Sequence, residues 1–189
     1  VEHVFKEHLR HFSNVELVEE VSGFSNVYLK DYYAKLLRSK KWGKRMRALI
    51  RVYEFRIDEL YKTSLKRKNK LQSYEERLQL LKIVSLKNDE QFLKLFMTNA
   101  LNLSEYDMKN LLLTISDDFF KQIKRHAYSL EEQVQRCYVD VLGLRGNVED
   151  VYYLEQLLDE QDQEIRIRAL KAINNIGMVC NYDKYVPFF

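Results

Sequence analysis

Apolar residues in the stretch 162–177, DQEIRIRALKAINNIG, recur every three or four positions. Read as a helix, it sets Ile165, Ala169, Ala172, Ile173 and Ile176 on one face and Glu164, Arg168, Lys171 and Asn175 on the opposite one. The segment before it, residues 148–159 (VEDVYYLEQLLD), reads as a helix that pairs with it. Related stretches recur upstream. From Trp42, Arg45, Ala48, Leu49 and Val52, a shift of 32 positions reaches Tyr74, Arg77, Leu80, Leu81 and Val84, and a second one reaches Tyr106, Lys109, Leu112, Leu113 and Ser116. Steps of 26 and 31 lead on to Glu132, Gln135, Tyr138, Val139 and Leu142, then to Gln163, Arg166, Ala169, Leu170 and Ile173. The spacing predicts five helices in register. Each has a partner ahead of it, at residues 26–38, 58–70, 89–101, 117–127 and 148–159, with Ser25, Asp58, Asp89 and Asp117 as N-caps.

Residues 162–177, acid then apolar–Arg and two spaced alanines before Ile-Gly, resemble the second helix of a HEAT repeat. That resemblance implies an all-α fold, a right-handed α-solenoid of about five HEAT-like helix pairs. In such an array each pair buries its apolar face only by stacking on its neighbours. The resemblance also implies that a recurring Arg and the acid before the helix support packing between repeats. Arg166 and Asp162 match both roles, and Arg45 and Arg77 match the basic one; Lys109 and Gln135 depart from it. The expected organisation is a short helical cap over 1–23, the repeat array over 24–177, and the start of a further, truncated repeat over 178–189. Within the cap, residues 4–12 form an amphipathic helix, and a capping box at Ser13 and Glu16 opens a short helix that Gly23 stops.

Composition narrows the picture further. With 189 residues, 46% of them apolar and 31% charged, the chain can bury a sizeable core. Five glycines and one proline leave little turn chemistry for a sheet. Cys137 and Cys180, both in apolar helical patterns, predict a reducing, cytoplasmic setting rather than a disulfide framework. Val1 in place of an initiator Met predicts a piece of a longer protein, and leaves room for a tether at the inner face of a membrane through a preceding segment.

No phosphate-binding glycine loop, GxSxG or HExxH motif is present, and no cofactor is expected. His8 and His11, with Glu7 beside them, have the spacing of a weak metal site without a third strong ligand, and read as ordinary surface residues. The acid pairs Asp58-Glu59, Asp117-Asp118 and Glu131-Glu132 sit at predicted helix starts, where the helix dipole favours negative charge. Most of the 13 tyrosines fall at core spacing.

Charge is the remaining signal. Residues 35–70 hold 14 Lys and Arg against Glu54, Asp58 and Glu59, about +11 in a chain whose net charge is +3. Lys40, Lys41, Lys44, Arg45, Lys66, Arg67, Lys68 and Lys70 form the expected basic patch, suited to an acidic protein surface or an anionic membrane. The resemblance implies that second helices line the concave side of the array, which makes Arg47, Ile50, Lys82, Leu111, Arg168 and Lys171 the expected partner contacts. The reading is a non-enzymatic scaffold or adaptor that binds a partner protein. The alternative is a nucleic-acid-binding protein similar to the HEAT-like alkylpurine DNA glycosylases, with Trp42 amid Lys and Arg and with Tyr106 and Asp107 recruited. A phosphate-tracking groove should be basic along its length, and this ridge is mixed in sign, which ranks nucleic acid second.

Overall fold

The computed structural model describes residues 3–5, 15–67, 70, 73–87, 90–124 and 131–188. Every regular element among the described residues is helical, as the pattern predicts. Val1–Lys87 and Asn88–Phe189 form two compact units.

In the first unit, α1 (Val15–Tyr28), α2 (Lys30–Leu37), α3 (Trp42–Glu54), α4 (Tyr61–Leu65) and α5 (Tyr74–Ser85) follow one another, with a 3-10 turn at Asp58–Leu60 leading into α4. α2 packs on α3, and α3 on α5. Between them lie Tyr33 and Leu37 of α2, Ala48, Leu49 and Val52 of α3, and Leu80, Leu81 and Val84 of α5, all buried. Phe55 closes this core, its ring edge-on to Phe5 at 5.6 Å and to Tyr33 at 6.5 Å. Such pairs add about 0.5–1.5 kcal/mol beyond burial.

Gly23 does not end a helix. α1 runs through it to Tyr28, and the expected cap Ser25 lies fully buried inside that helix. A glycine in mid-helix costs about 1 kcal/mol relative to alanine, and tertiary contacts offset it. Ser22 Oγ donates to the Arg56 carbonyl at 2.9 Å, Asn26 Nδ2 donates to the same carbonyl at 3.2 Å, and Asn26 Oδ1 accepts from the Glu59 amide at 3.1 Å. These bonds hold Arg56 at φ 47°, in the left-handed region that ordinary side chains avoid. Residues 6–14, with most of the expected first helix and the start of the capping box, lie outside the described residues.

The second unit contains α6 (Glu90–Asn99), α7 (Glu105–Thr114), α8 (Asp117–Lys124), α9 (Glu132–Arg145), α10 (Val151–Gln156) and α11 (Gln163–Ile176). α9 packs on both α7 and α11, and α10 on α11. Gly146 and Gly177, at φ 71° and 75°, end α9 and α11 in the left-handed conformation that glycine adopts without steric cost. The partner helix expected at 148–159 is present but broken into a 3-10 turn, α10 and a second 3-10 turn. Asp58 and Asp117 do not cap as expected: Asp58 pairs with Lys87 at 2.8 Å, and Ser116 Oγ accepts from the Phe119 amide ahead of α8. Asp89 lies outside the described residues.

The five helices aligned by spacing start at Trp42, Tyr74, Glu105, Glu132 and Gln163. Counted from those starts, the same three positions turn inward each time: Ala48, Leu49, Val52; Leu80, Leu81, Val84; Leu111, Leu112, Ile115; Tyr138, Val139, Leu142; and Ala169 and Ile173, with Leu170 half-buried. The expected register is corrected by one residue in the third helix. There Ser104, not Glu105, is the N-cap, and its hydroxyl accepts from the Asp107 amide at 3.1 Å, as Ser73 accepts from Glu76 at 3.2 Å in α5. A slip of one residue turns a helix by about 100°. Leu113 is therefore exposed, Tyr106 stands 75% exposed, and Leu111 is buried.

Residues 182–188, expected to open a further helix pair, form a 3-10 helix instead. Asn181 Oδ1 takes the Asp183 amide, a local alternative to an α-helical start, and Pro187 has no amide to give. Glu155, buried on α10, holds this segment: its Oε1 accepts from the amides of Cys180 and Asn181 at 2.7 and 3.0 Å and from the Tyr185 hydroxyl at 3.0 Å. Burial, with the hydrogen bond to Glu155, raises the Tyr185 pKa. No helix among the described residues is long and apolar enough to cross a membrane.

Candidate binding surface

α2 ends at Leu37, the chain turns through Arg38 to Lys41, and α3 begins at Trp42. No side chain caps α3 and no acid stands in its first turn, whereas Ser73, Ser104 and Asp162 cap α5, α7 and α11. The turn before α3 is shaped by Arg45. Its Nη1 donates to the carbonyls of Ser39 and Lys40 at 3.1 and 2.7 Å, while Nε and Nη2 reach Glu76 of α5 at 2.6 and 3.3 Å. Glu76 is fully buried, so this forked ion pair is a packing element joining α3 to α5. The hydrogen bond to Glu76 raises the Arg45 pKa above its ordinary value. Arg45 therefore leaves the basic patch.

The rest of that patch divides. Lys40, Lys41, Lys44, Lys66 and Lys70 are exposed, Arg67 is half-buried, and Lys68 lies outside the described residues. On the α2–α3 side, Tyr32, Lys35, Leu36, Arg38, Ser39, Lys44 and Arg47 line a cleft of about 510 Å³. Two helices build it by simple spacing. Tyr32, Lys35, Leu36 and Ser39 recur at three- and four-residue intervals along α2 and its end, with Arg38 beside them, and Lys44 and Arg47 are three apart on α3. The lining holds four cations and no acid, with a tyrosine ring and a leucine for an apolar wall. Of these residues only Lys44 and Arg47 belong to the basic patch and partner contacts expected from the sequence. Lys35 and Arg38 were legible as a three-residue spacing on a basic helix.

The expected ridge contacts fare unevenly. Arg47 is exposed in the cleft, Ile50 and Lys82 are half-buried, and Lys171 is exposed. Leu111 is 0% exposed and is no surface contact, a consequence of the corrected register. Arg168 is committed internally: Nη1 donates to Asp140 at 2.6 Å and to Glu105 at 3.3 Å, and Nε donates to Glu164 at 2.8 Å. Burial acts to lower its pKa, but the hydrogen bond to Glu164 and the charges of Asp140 and Glu105 outweigh it and raise the value. With Lys109 on Asp140 at 2.7 Å, this network spans α7, α9 and α11 and commits Arg168 to packing.

The acid pairs have ordinary partners. Glu59 faces Lys30 at 3.6 Å, Asp117 pairs with Arg145, and Glu132 holds Arg136 at 2.5 Å. Asp107 accepts from the Ser104 hydroxyl at 2.7 Å beside the exposed Tyr106. Trp42, 50% exposed, donates its indole N–H to Ser73 Oγ at 3.1 Å, linking the starts of α3 and α5. Among the described residues no group of His, Cys, Asp and Glu is arranged to hold a metal ion, and His8, His11 and His126 lie outside them.

The two thiols differ sharply. Burial pushes the Cys137 pKa up to about 11, while Cys180 is exposed. The thiolate is the nucleophile, so iodoacetamide at pH 8 is expected to alkylate Cys180 alone in the native chain and both thiols in denaturant. Peptide mass mapping reads the result; rapid native labelling of Cys137 would contradict it. Because folding raises this pKa, its stabilisation is complete below the unfolded value near 9 and is lost as pH rises through about 11.

No family model, curated protein or solved structure matches the chain.

Proposed function

We propose that this chain is a non-enzymatic scaffold, a right-handed solenoid of HEAT-like helix pairs that binds a partner protein through the basic face of α2 and α3. The observation that carries the repeat reading is a hydrogen-bonding unit that recurs in the first and last repeated helices. Arg166 donates to the carbonyls of Glu160 and Gln161 at 2.7 and 2.9 Å, and Arg45 makes the equivalent pair of bonds to Ser39 and Lys40. Each Arg stands three residues after its helix start and reaches the carbonyls three and two residues before it. The shared inward positions of the five helices support the same reading. For binding, the support is the division of charge: Arg45, Lys109 and Arg168 are spent on packing, whereas Lys35, Arg38 and Lys44 face solvent with no acidic partner among the described residues.

Affinity capture with the native chain and with a Lys44→Glu/Arg47→Glu variant of unchanged melting temperature tests it. The variant is expected to lose the partner; equal capture by both would remove the assignment. Trp42, half-exposed among Lys40, Lys41 and Lys44, favours nucleic acid as a second reading. That reading requires affinity for a single-stranded oligonucleotide to fall steeply with salt as phosphate counterions are released. A flat salt dependence would dismiss it.

A further inference from the structure

We propose that the α2–α3 cleft is a recognition site for a phosphorylated side chain in the partner protein, a proposal that rests on the partner-binding reading above. The lining argues for a dianion. Lys35 of α2, Arg38 just past its end, and Lys44 and Arg47 of α3 surround a cavity of about 510 Å³, and Ser39 adds a hydroxyl donor beside them. Lys35, Arg38 and Lys44 carry no acidic partner among the described residues, so this charge is unneutralised. Arg offers a planar fork matched to phosphate oxygens and Lys a compact point charge, and the cleft supplies both kinds from two helices. A phosphate brings close to two negative charges at neutral pH and three acceptor oxygens, against one charge on a carboxylate.

The surroundings favour a peptide over other phosphate carriers. Tyr32 and Leu36 give the cleft an apolar wall, against which a residue flanking the phosphorylated one would pack. A nucleic-acid groove repeats its cations along the strand, but the cations here converge on one cavity. A membrane surface meets polybasic segments without needing a cleft to gather them. Holding the site together is Arg45, whose two carbonyl bonds set the turn between the helices and thus the separation of the two cation pairs. Arg45 is a positioning residue rather than a contact.

Fluorescence anisotropy on the full chain tests the proposal, using a labelled degenerate library of short phosphoserine and phosphotyrosine peptides and the same library unphosphorylated. The phosphorylated library is expected to bind at least about tenfold more tightly. Lys35→Glu/Arg38→Glu should abolish that preference, and Arg38→Gln should weaken it, while Lys66→Glu/Lys70→Glu leaves it intact. Both cleft residues are exposed, so the melting temperature should hold in these variants; Arg38→Gln keeps the proposal testable if the double reversal fails to fold. Equal binding of the two libraries would overturn it, as would an unchanged preference in the cleft variants. Tighter binding of phosphoinositide vesicles or of a single-stranded oligonucleotide than of any phosphopeptide would overturn it too. Phosphatase treatment of the captured partner separates the two readings. Capture that survives dephosphorylation defeats the phosphate site and leaves the scaffold; absence of capture in every state defeats the scaffold itself.

Discussion

Arg45→Met is expected to cost the first unit about 3–5 kcal/mol, the range for a buried ion pair that loses one partner. The reason lies in what remains. Glu76 is fully buried on α5, its amide is already used by Ser73, and both carboxylate oxygens take their bonds from the Arg45 guanidinium. Without that guanidinium the carboxylate is left buried and uncompensated, and the carbonyls of Ser39 and Lys40 lose a donor as well. Removing both charges tells the terms apart. The double variant Arg45→Met/Glu76→Leu should recover more than half of the loss, because well-packed apolar residues often replace a buried pair at little cost. It should not recover all of it, since the part-buried Ser39 carbonyl still loses its donor, at about 1 kcal/mol. Trp42 is the only tryptophan and lies in this unit, so its fluorescence during urea unfolding reads the effect. A loss under about 1 kcal/mol for the single variant would show the pair to be incidental.

Much of this architecture could be read from the sequence, and the failures have definable causes. Hydrophobic periodicity placed helix starts at Trp42, Tyr74, Glu132 and Gln163, because a buried stripe three or four residues apart survives wide variation in the rest of the helix. It misplaced the third by matching Tyr106 to Trp42 and Tyr74 as aromatics. The residue that fixes each start is the cap, and Ser73 and Ser104 were the better pair to align. One position was enough to exchange Leu111 for Leu113 at the surface. Gly23 misled for another reason: its φ is ordinary, and what prolongs α1 is a set of bonds to Arg56 and Glu59, across 30 to 34 residues of chain. Local signals carry no information about partners so distant.

The candidate site was half legible on similar grounds. Counting charges located the basic segment, but a count ignores direction. Arg45 turns inward to Glu76 and Arg51 pairs with Glu54, whereas Lys35 and Arg38 emerge on the same side as Lys44 and Arg47. The distinction depends on which helix faces are covered, and that is a property of packing. In the second unit the same logic runs the other way. Arg168 occupies an outward position by periodicity, yet α7 and α9 present Glu105 and Asp140 within its reach, so its charge is neutralised and partly desolvated.

The close approach of α9 and α11 gives the second large expectation. A Cβ on Gly143 would lie 2.6 Å from the Ala172 Cα and 2.8 Å from its Cβ, closer than non-bonded carbons come. In an isolated helix Gly143→Ala would gain about 1 kcal/mol of propensity. Here overpacking costs about 1–3 kcal/mol, because the obstacle is backbone in mid-helix and no side-chain rotation relieves it. Gly143→Ala should therefore be destabilising on balance, and Gly143→Val, with a branched side chain at the same point, should cost about 3 kcal/mol or more. Ala172→Gly in the alanine background should restore part of the loss, since it removes the Cβ contact and leaves the one to Cα. Far-UV circular dichroism through urea unfolding follows all three variants. An increase in stability for Gly143→Ala would mean that α9 and α11 separate at little cost, and that the tight crossing is not what holds these two helices together.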